Sequence, residues 1–389
     1  MDFSHSSDRQ MVVDTLSRYL HQQYPIDRRN QTSMSQTGWS SDHWVRLAGM
    51  GIIGMLFDES AGGFGGSGFD IGVVFEQIGR SLVIEPFLGT LMAGTALTLA
   101  GGQQRLVDAV VAGGAPLAFA HEESRSRYQM LDIGCSAQQV DGGWRLTGTK
   151  AVVPHLEAAD YIVVSARMQH SSTIGLFLIA SDASGVSTRG YPMIDGGRGG
   201  ELLLDGAQSQ LIADDAVNLI ESVVATGILA LCWEAVGIMD MLKSQTLEYL
   251  KTRQQFGVPI GKFQALQHRM VTVALEIEQA RSAAINAAAA LLDERFRRER
   301  AVSAAKFTIG RVGTIVAEEA IQMHGGIGMT WELPLSHFAK RLIMIGHQLG
   351  DEDHHLERFA LLGLNPDGHT PKPDRIQSFL FSAHSVKVR

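Results

Sequence analysis

Two short runs carry residue types that could hold a charged cofactor. Arg253-Gln254-Gln255-Phe256-Gly257 offers a guanidinium fork, amide donors and an aromatic ring, and about seventy residues later Gln322-Met323-His324-Gly325-Gly326-Ile327-Gly328 offers another amide and bare backbone. A planar fork of N–H donors suits a diphosphate, and glycines let the main chain approach such a group closely. Each run also has a plainer reading. Arg253 is placed where a cation meets the C-terminal end of a helix, and Gly325 where a glycine ends one. For the glycine run both readings can hold at once, while for Arg253 the full motif favours the cofactor role. His324 is expected to be packed or hydrogen-bonded, because no carboxylate or nucleophile is fixed beside it in sequence.

A third group is the acidic and histidine cluster Asp351, Glu352, Asp353, His354 and His355. It could serve as a proton relay or as metal ligands, but it lacks regular ligand spacing, so solvated loop residues are the plainer reading and no metal is expected.

The elements that must position these groups follow from periodicity. Apolar spacing is mostly helical from Asp8 to about Ala112, through Met11, Val12, Leu16, Leu20, Trp44 and Ile71, which predicts an all-α region over 1–115. The Gly-rich run Glu59 to Gly66 breaks it as a turn, or as a loop admitting a bulky ligand. From Pro116 short β-rich runs take over, including Trp144 to Val153, Tyr161 to Ser165, Gly175 to Ile179 and Glu201 to Asp205, giving a β domain over 116–215. Helical spacing returns over 216–363, with helices running to about Thr252, from Ala265 to Leu292 and from Ala301 to Met323. The charge run Asp293 to Arg300 reads as their solvated link, and 364–389 as an irregular tail. The fold class is α+β.

Composition narrows the partners. The chain of 389 residues carries a net charge of −8, with no cationic field for nucleic acid or anionic lipid. Cys135 and Cys232 show no paired spacing, and a reducing cytoplasmic setting fits. No stretch reads as a membrane span, so neither membrane nor nucleic acid is an expected partner.

TRQQFGVPIGKFQALQHR and IQMHGGIGMTWE, in this order and on these elements, resemble the acyl-CoA dehydrogenase family over roughly residues 5 to 363. The opening MDFS, the Glu59 to Gly66 loop and Gly350-Asp-Glu-Asp-His-His-Leu further resemble small subunits of the pimeloyl-CoA dehydrogenase type, whose relatives often work as unlike pairs. The resemblance implies a central β-barrel-like domain between an N-terminal helical domain and a C-terminal four-helix bundle. It also implies FAD as cofactor, an acyl-CoA substrate dehydrogenated at its α,β bond, and an electron-transfer flavoprotein as acceptor. Arg253, Gln255, Phe256, Gln264, Gln322, Met323, His324, Gly325 and Gly326 would then contact FAD, the Arg253 group reaching flavin held by a neighbouring subunit.

Two family features are altered. The run that should cradle the flavin ring reads Phe119-Ala120-His121-Glu122-Glu123. The segment that should cover and bond it reads Lys150-Ala151-Val152-Val153-Pro154-His155, where Val152 replaces an aromatic and Pro154 lacks both hydroxyl and N–H. The usual catalytic Glu is matched by Asp351, with Glu352 next to it, while Gly227 and Ile228 stand at the alternative site. Three arrangements follow: one subunit of a heteromeric dehydrogenase lending FAD contacts in trans, a self-sufficient homotetramer with Asp351 or Glu352 as base, or a non-catalytic scaffold or CoA-binding subunit.

Overall fold

The computed structural model describes residues 6–171 and 173–364, so the expected tail lies outside the described residues except for Leu364. Six helices come first: α1 (Ser7–Gln23), α2 (Ile26–Ser33), α3 (Ser41–Gly49), α4 (Gly68–Ser81), α5 (Phe87–Ala100) and α6 (Gln104–Val111). Ser67 and Asp70 exchange bonds across the first turn of α4, a capping box worth about 1 kcal/mol that restarts the helix after the glycines. The loop before it is a short 3-10 turn over Glu59–Ala61 capped by Asp58. A Cβ at Gly63 would stand 2.2 Å from the Phe57 carbonyl oxygen, so only glycine permits that backbone approach.

Seven strands follow: β1 (Leu117–Ala120), β2 (Ser136–Val140), β3 (Gly143–Pro154), β4 (Tyr161–Met168), β5 (Ile174–Ala180), β6 (Val186–Pro192) and β7 (Arg198–Ala213). They pair in the order β1-β4-β2-β3-β7-β5, and β5 also pairs with β4, so five strands close on themselves as a small barrel while β1 and β6 flank it. The expected barrel-like architecture is the one observed. The alternation of buried and exposed positions along β7 follows from this, with one face on the core and the other in solvent.

The last part holds α7 (Val217–Thr252), the hairpin β8 (Gln254–Gln255) and β9 (Val258–Pro259), then α8 (Gln264–Ala290), α9 (Arg295–His324), α10 (Pro334–His347) and α11 (Glu352–Leu364). Two expectations need correction here. α7 is long and apolar enough to cross a membrane by length and composition, contrary to the sequence reading. However, 89% of its most apolar window is buried inside the protein, because α4, α5, α8, α9 and α10 all pack around it. The charge run is not a solvated link. Glu294 caps α9 by accepting from the amides of Phe296 and Arg297, so Arg295 to Arg300 form the first turns of that helix. Some of their charges are matched from afar: Arg295 pairs with Glu221 and Glu299 with Arg358, while the adjacent Arg298 also pairs with Glu299.

All three parts meet in one ionic junction. Arg341 of α10 binds Glu234 of α7 through both oxygens at 2.6 and 2.7 Å and Asp195, from the β6–β7 turn, at 2.9 Å. Arg29 of α2 donates to the Asp195 and Leu82 carbonyls. Nearby Glu85 accepts from the Tyr24 hydroxyl at 2.9 Å, while its other oxygen is buried without a partner among the described residues. Burial pushes the Glu85 carboxyl up to about 7.

Candidate functional site

The two motifs come together at one end of the helical bundle. Arg253 is the residue at which α7 stops, and the chain turns at once into the β8–β9 hairpin. Phe256 and Gly257, its two tip residues, have φ of 53° and 76°, the doubly left-handed geometry of a tight hairpin turn. An aromatic residue pays strain there, and Phe256 is also 91% exposed. Arg253, Gln255 and Gln264 are exposed as well, and among the described residues no ion pair engages Arg253.

The second motif closes α9. Gln322 is exposed on its last turn, Gly325 follows with φ 70°, and a Cβ at Gly325 or Gly326 would meet nothing within 4 Å. The side chains of Met323 and His324 turn inward instead. His324 bonds the Ala320 carbonyl at 2.8 Å and stacks on Tyr249 of α7 with ring centres 4.3 Å apart. The Tyr249 hydroxyl also reaches the His324 carbonyl at 3.4 Å, so this stack joins the two motifs. Met323 and His324 thereby shape the turn, and the groups open to a ligand are Arg253, Gln255, Phe256, Gln264, Gln322 and the glycine backbone.

A separate cavity of about 230 Å3 lies where the barrel meets the bundle. Phe119, His121 and Glu122 form one wall, Ala151 to Pro154 another, with Met92 and Val224 opposite and the α10–α11 turn, His347 to Leu349, closing it. β3 is bulged between Lys150 and Val153, which forces Val152 into φ 52° and leaves it 46% exposed. A β-branched residue in this region is an outlier that costs on the order of 1–2 kcal/mol.

Beneath this wall the polar groups are satisfied by one another. Lys150, fully buried, donates to the His121 carbonyl at 3.1 Å, Glu123 at 2.7 Å and the Ser165 hydroxyl at 3.1 Å. Ser165 also pairs with His121 Nδ1 at 2.9 Å. Burial drives His121 down to about 3, with Lys150 adding to the effect, so the ring is neutral. Burial would raise the Glu123 carboxyl, but Lys150 and the amides of Cys135 and Gly134 outweigh it and hold it low. Glu122 differs: its backbone oxygen accepts from Ala151, yet its carboxyl has no hydrogen bond or ion pair among the described residues, and burial pushes it up.

Asp351 and Glu352 stand elsewhere. Asp351 caps α11, accepting from the His354 amide at 2.9 Å, and Glu352 lies against Gly310 of α9. Neither lines the cavity, so the carboxylate that faces it is Glu122, which the sequence reading did not single out. The 351–355 cluster is a helix start rather than a loop, with His355 buried and driven to about 3 by burial. Among the described residues no group of three or more ligating side chains could hold a metal.

Lys306 of α9 is a second residue the sequence did not flag. It is fully buried and donates to the carbonyls of Gly346 at 3.1 Å and Gly350 at 2.6 Å, clamping both ends of the turn that closes the cavity. A cation placed at the C-terminal end of α10 complements the helix dipole. Burial nevertheless lowers its ammonium to about 8, against the raising pull of Cys232, Asp351, Glu122 and Glu352, none of which forms an ion pair with it among the described residues.

The family model for the acyl-CoA dehydrogenase C-terminal domain matches residues 217–359. Among similar curated proteins, acyl-CoA dehydrogenase IpdE2 of Mycolicibacterium smegmatis is 25% identical, covering 91% of this chain and 98% of its own. IpdE2 of Mycobacterium tuberculosis is 27% identical over 86% and 90%. A solved structure described as the Tcur3481–Tcur3483 steroid ACAD superposes with a TM-score of 0.85 at 29% identity, covering 93% of this chain and 99% of that one. The ChsE4–ChsE5 complex from Mycobacterium tuberculosis shares the fold at a TM-score of 0.85 and 23% identity, over 96% and 100%.

Proposed function

This chain belongs to the acyl-CoA dehydrogenase family, whose members are oxidoreductases acting on acyl-CoA, and from that premise we propose that it works as one subunit of a heteromeric, FAD-dependent dehydrogenase. It lends Arg253, Gln255, Phe256, Gln264 and the Gln322 to Gly326 turn to FAD seated in a related but unlike subunit. One contrast carries this reading. The diphosphate-type groups are all displayed outward on one end of the bundle, whereas the chain's own cavity presents Val152 and Pro154 where a flavin ring would need a cover and a donor.

The exposed end fits a dinucleotide. Arg253 can donate two parallel bonds to a diphosphate, and the bare backbone at Gly325 and Gly326 leaves room for its oxygens. Phe256, held out on a strained turn, offers a flat apolar face. FAD, when bound, would supply the redox chemistry as the acceptor of a hydride from the acyl β-carbon, its electrons then going to an electron-transfer flavoprotein. The α-proton would go to a carboxylate of the partner, because Asp351 and Glu352 lie outside this chain's cavity lining.

The test is the FAD-to-chain ratio of the protein purified alone and co-purified with a related dehydrogenase subunit. The expected result is little FAD alone and one FAD per unlike pair together, with turnover only in the pair. Full loading and acyl-CoA turnover by the chain alone would establish the homotetramer instead. Retained FAD and activity after Arg253→Ala in the pair would reduce the chain to a scaffold.

A further inference from the structure

Three buried polar atoms beside the Arg341 junction have no partner among the described residues: Glu85 Oε1, His155 Nδ1 and Arg198 Nε. All three side chains line one cavity of about 50 Å3, at the place where the first helical part, the barrel and the bundle meet. Each comes from a different segment. Glu85 stands in the turn between α4 and α5, His155 just past the end of β3, and Arg198 at the start of β7.

Their other bonds fix what each atom can offer. His155 Nε2 lies 2.6 Å from the Ile84 carbonyl, which can only accept, so Nε2 carries the proton and Nδ1 is a bare acceptor. Burial lowers this imidazole to about 4, so the ring is neutral. Arg198 Nε is a donor, while its Nη2 is taken by Glu157. Tyr24 donates to Glu85 Oε2, which leaves Oε1 to carry the proton of the neutral carboxyl. The three atoms are therefore two donors and one acceptor that do not bond one another. Water joins such a set because it gives and takes at once, and 50 Å3 has room for roughly three waters at ~15 Å3 apiece.

Among the described residues no cation is free to settle an ionised Glu85. Arg29 of α2 is spent on the Leu82 and Asp195 carbonyls, and Arg341 of α10 on Glu234 of α7 and on Asp195. From α3, His43 bonds Tyr19 and packs edge-on against Tyr24, and burial lowers its imidazole, so it brings no charge at neutral pH.

We propose that this cavity is a proton-sensitive joint: a water cluster bridges the protonated Glu85 carboxyl, His155 and Arg198, holding α2 and the α4–α5 turn against the barrel and the bundle, and loss of the Glu85 proton breaks the bridge and loosens both. The balance turns near neutral pH, because burial holds the Glu85 carboxyl near 7. Leu88, Pro154 and Gln348 line both this cavity and the larger one, so a loosened joint softens a shared wall. The joint lies within one chain, and its outcome stands apart from subunit stoichiometry.

Hydrogen–deuterium exchange of the co-purified complex and of the chain alone, followed from pH 6 to 8 and corrected for the intrinsic pH dependence of amide exchange, reads the joint. Protection of segments 26–33, 82–88 and 193–198 should fall about tenfold over that range, as expected for a carboxyl near 7 when the joint is closed and 4.5 when it is open, while α8 stays level. Glu85→Gln should keep its protection throughout. Tyr24→Phe removes the hydroxyl that favours the carboxylate, so the midpoint should move above 7. Crystals of the protein at pH 6 should show water on Glu85 Oε1, His155 Nδ1 and Arg198 Nε. A dry cavity, the same fall in the wild type and in Glu85→Gln, or a midpoint that Tyr24→Phe leaves in place would overturn the proposal.

Discussion

The motif end of the bundle and the cavity at the barrel junction treat polar groups in opposite ways. At the bundle end Arg253, Gln255 and Gln322 stand in solvent and Phe256 is held out on a strained turn. At the junction Lys150, Glu123, His121 and Ser165 bond one another and leave little for a ligand. A group held exposed at a cost in strain is a candidate for use by something outside, whereas a group spent on its neighbours serves the fold. The difference teaches where to expect binding losses and where to expect stability losses.

The largest effect should come from Lys150→Met. It takes the cation from the part-buried Glu123 and the donor from the buried His121 carbonyl, and the expected cost is about 3 kcal/mol or more of folding stability by denaturant unfolding. Flavin affinity of the folded complex should not change, and a selective loss of flavin would break the comparison.

Glu85→Gln comes next. Its folded value near 7 lies above the ordinary 4.5, so the folded protein holds the proton more tightly between those values. The stability this contributes is present below about pH 4.5 and is lost as pH rises through 7, by about 3 kcal/mol at most. The Gln variant should be the more stable at pH 8 and should lack this slope; an unchanged slope in thermal melts from pH 5 to 8 would count against the assignment.

Arg253→Ala should weaken flavin retention in the complex by about 10- to 100-fold, equivalent to about 1.5–3 kcal/mol for a charge-assisted pair. The melting temperature of the lone chain should stay put. Phe256→Gly should perturb folding by under about 1 kcal/mol, because relief of left-handed strain offsets the added chain entropy. If flavin retention in the complex is also untouched, the exposed ring has no ligand to serve.

Legibility in the sequence followed the range of the interactions involved. The helical, β and helical order could be read because periodicity is local, whereas the barrel came only from the family resemblance that the two motifs carry. The cavity could not, since its walls come from residues near 90, 120, 152, 224 and 347 that no short pattern joins. Arg295 looked solvated because its partner Glu221 lies over seventy residues away, and Glu299 because Arg358 reaches it from fifty-nine residues on, while α7 looked short of a span although its apolar surface is absorbed by the surrounding helices. Lys306 was hidden because a buried lysine held by carbonyls has no sequence signature.

The Arg341 junction has a consequence for how the molecule comes apart. Its members are drawn from α2, the β6–β7 turn, α7 and α10, so Arg29 and Asp195 reach their partners only when the three parts have docked. A fragment lacking the bundle would strand the Asp195 carboxylate, and one lacking the barrel would leave Arg29 without the Asp195 carbonyl, while Arg341 and Glu234 could still pair within the bundle. Helices, barrel and bundle are therefore expected to melt as one cooperative unit, with a single calorimetric transition.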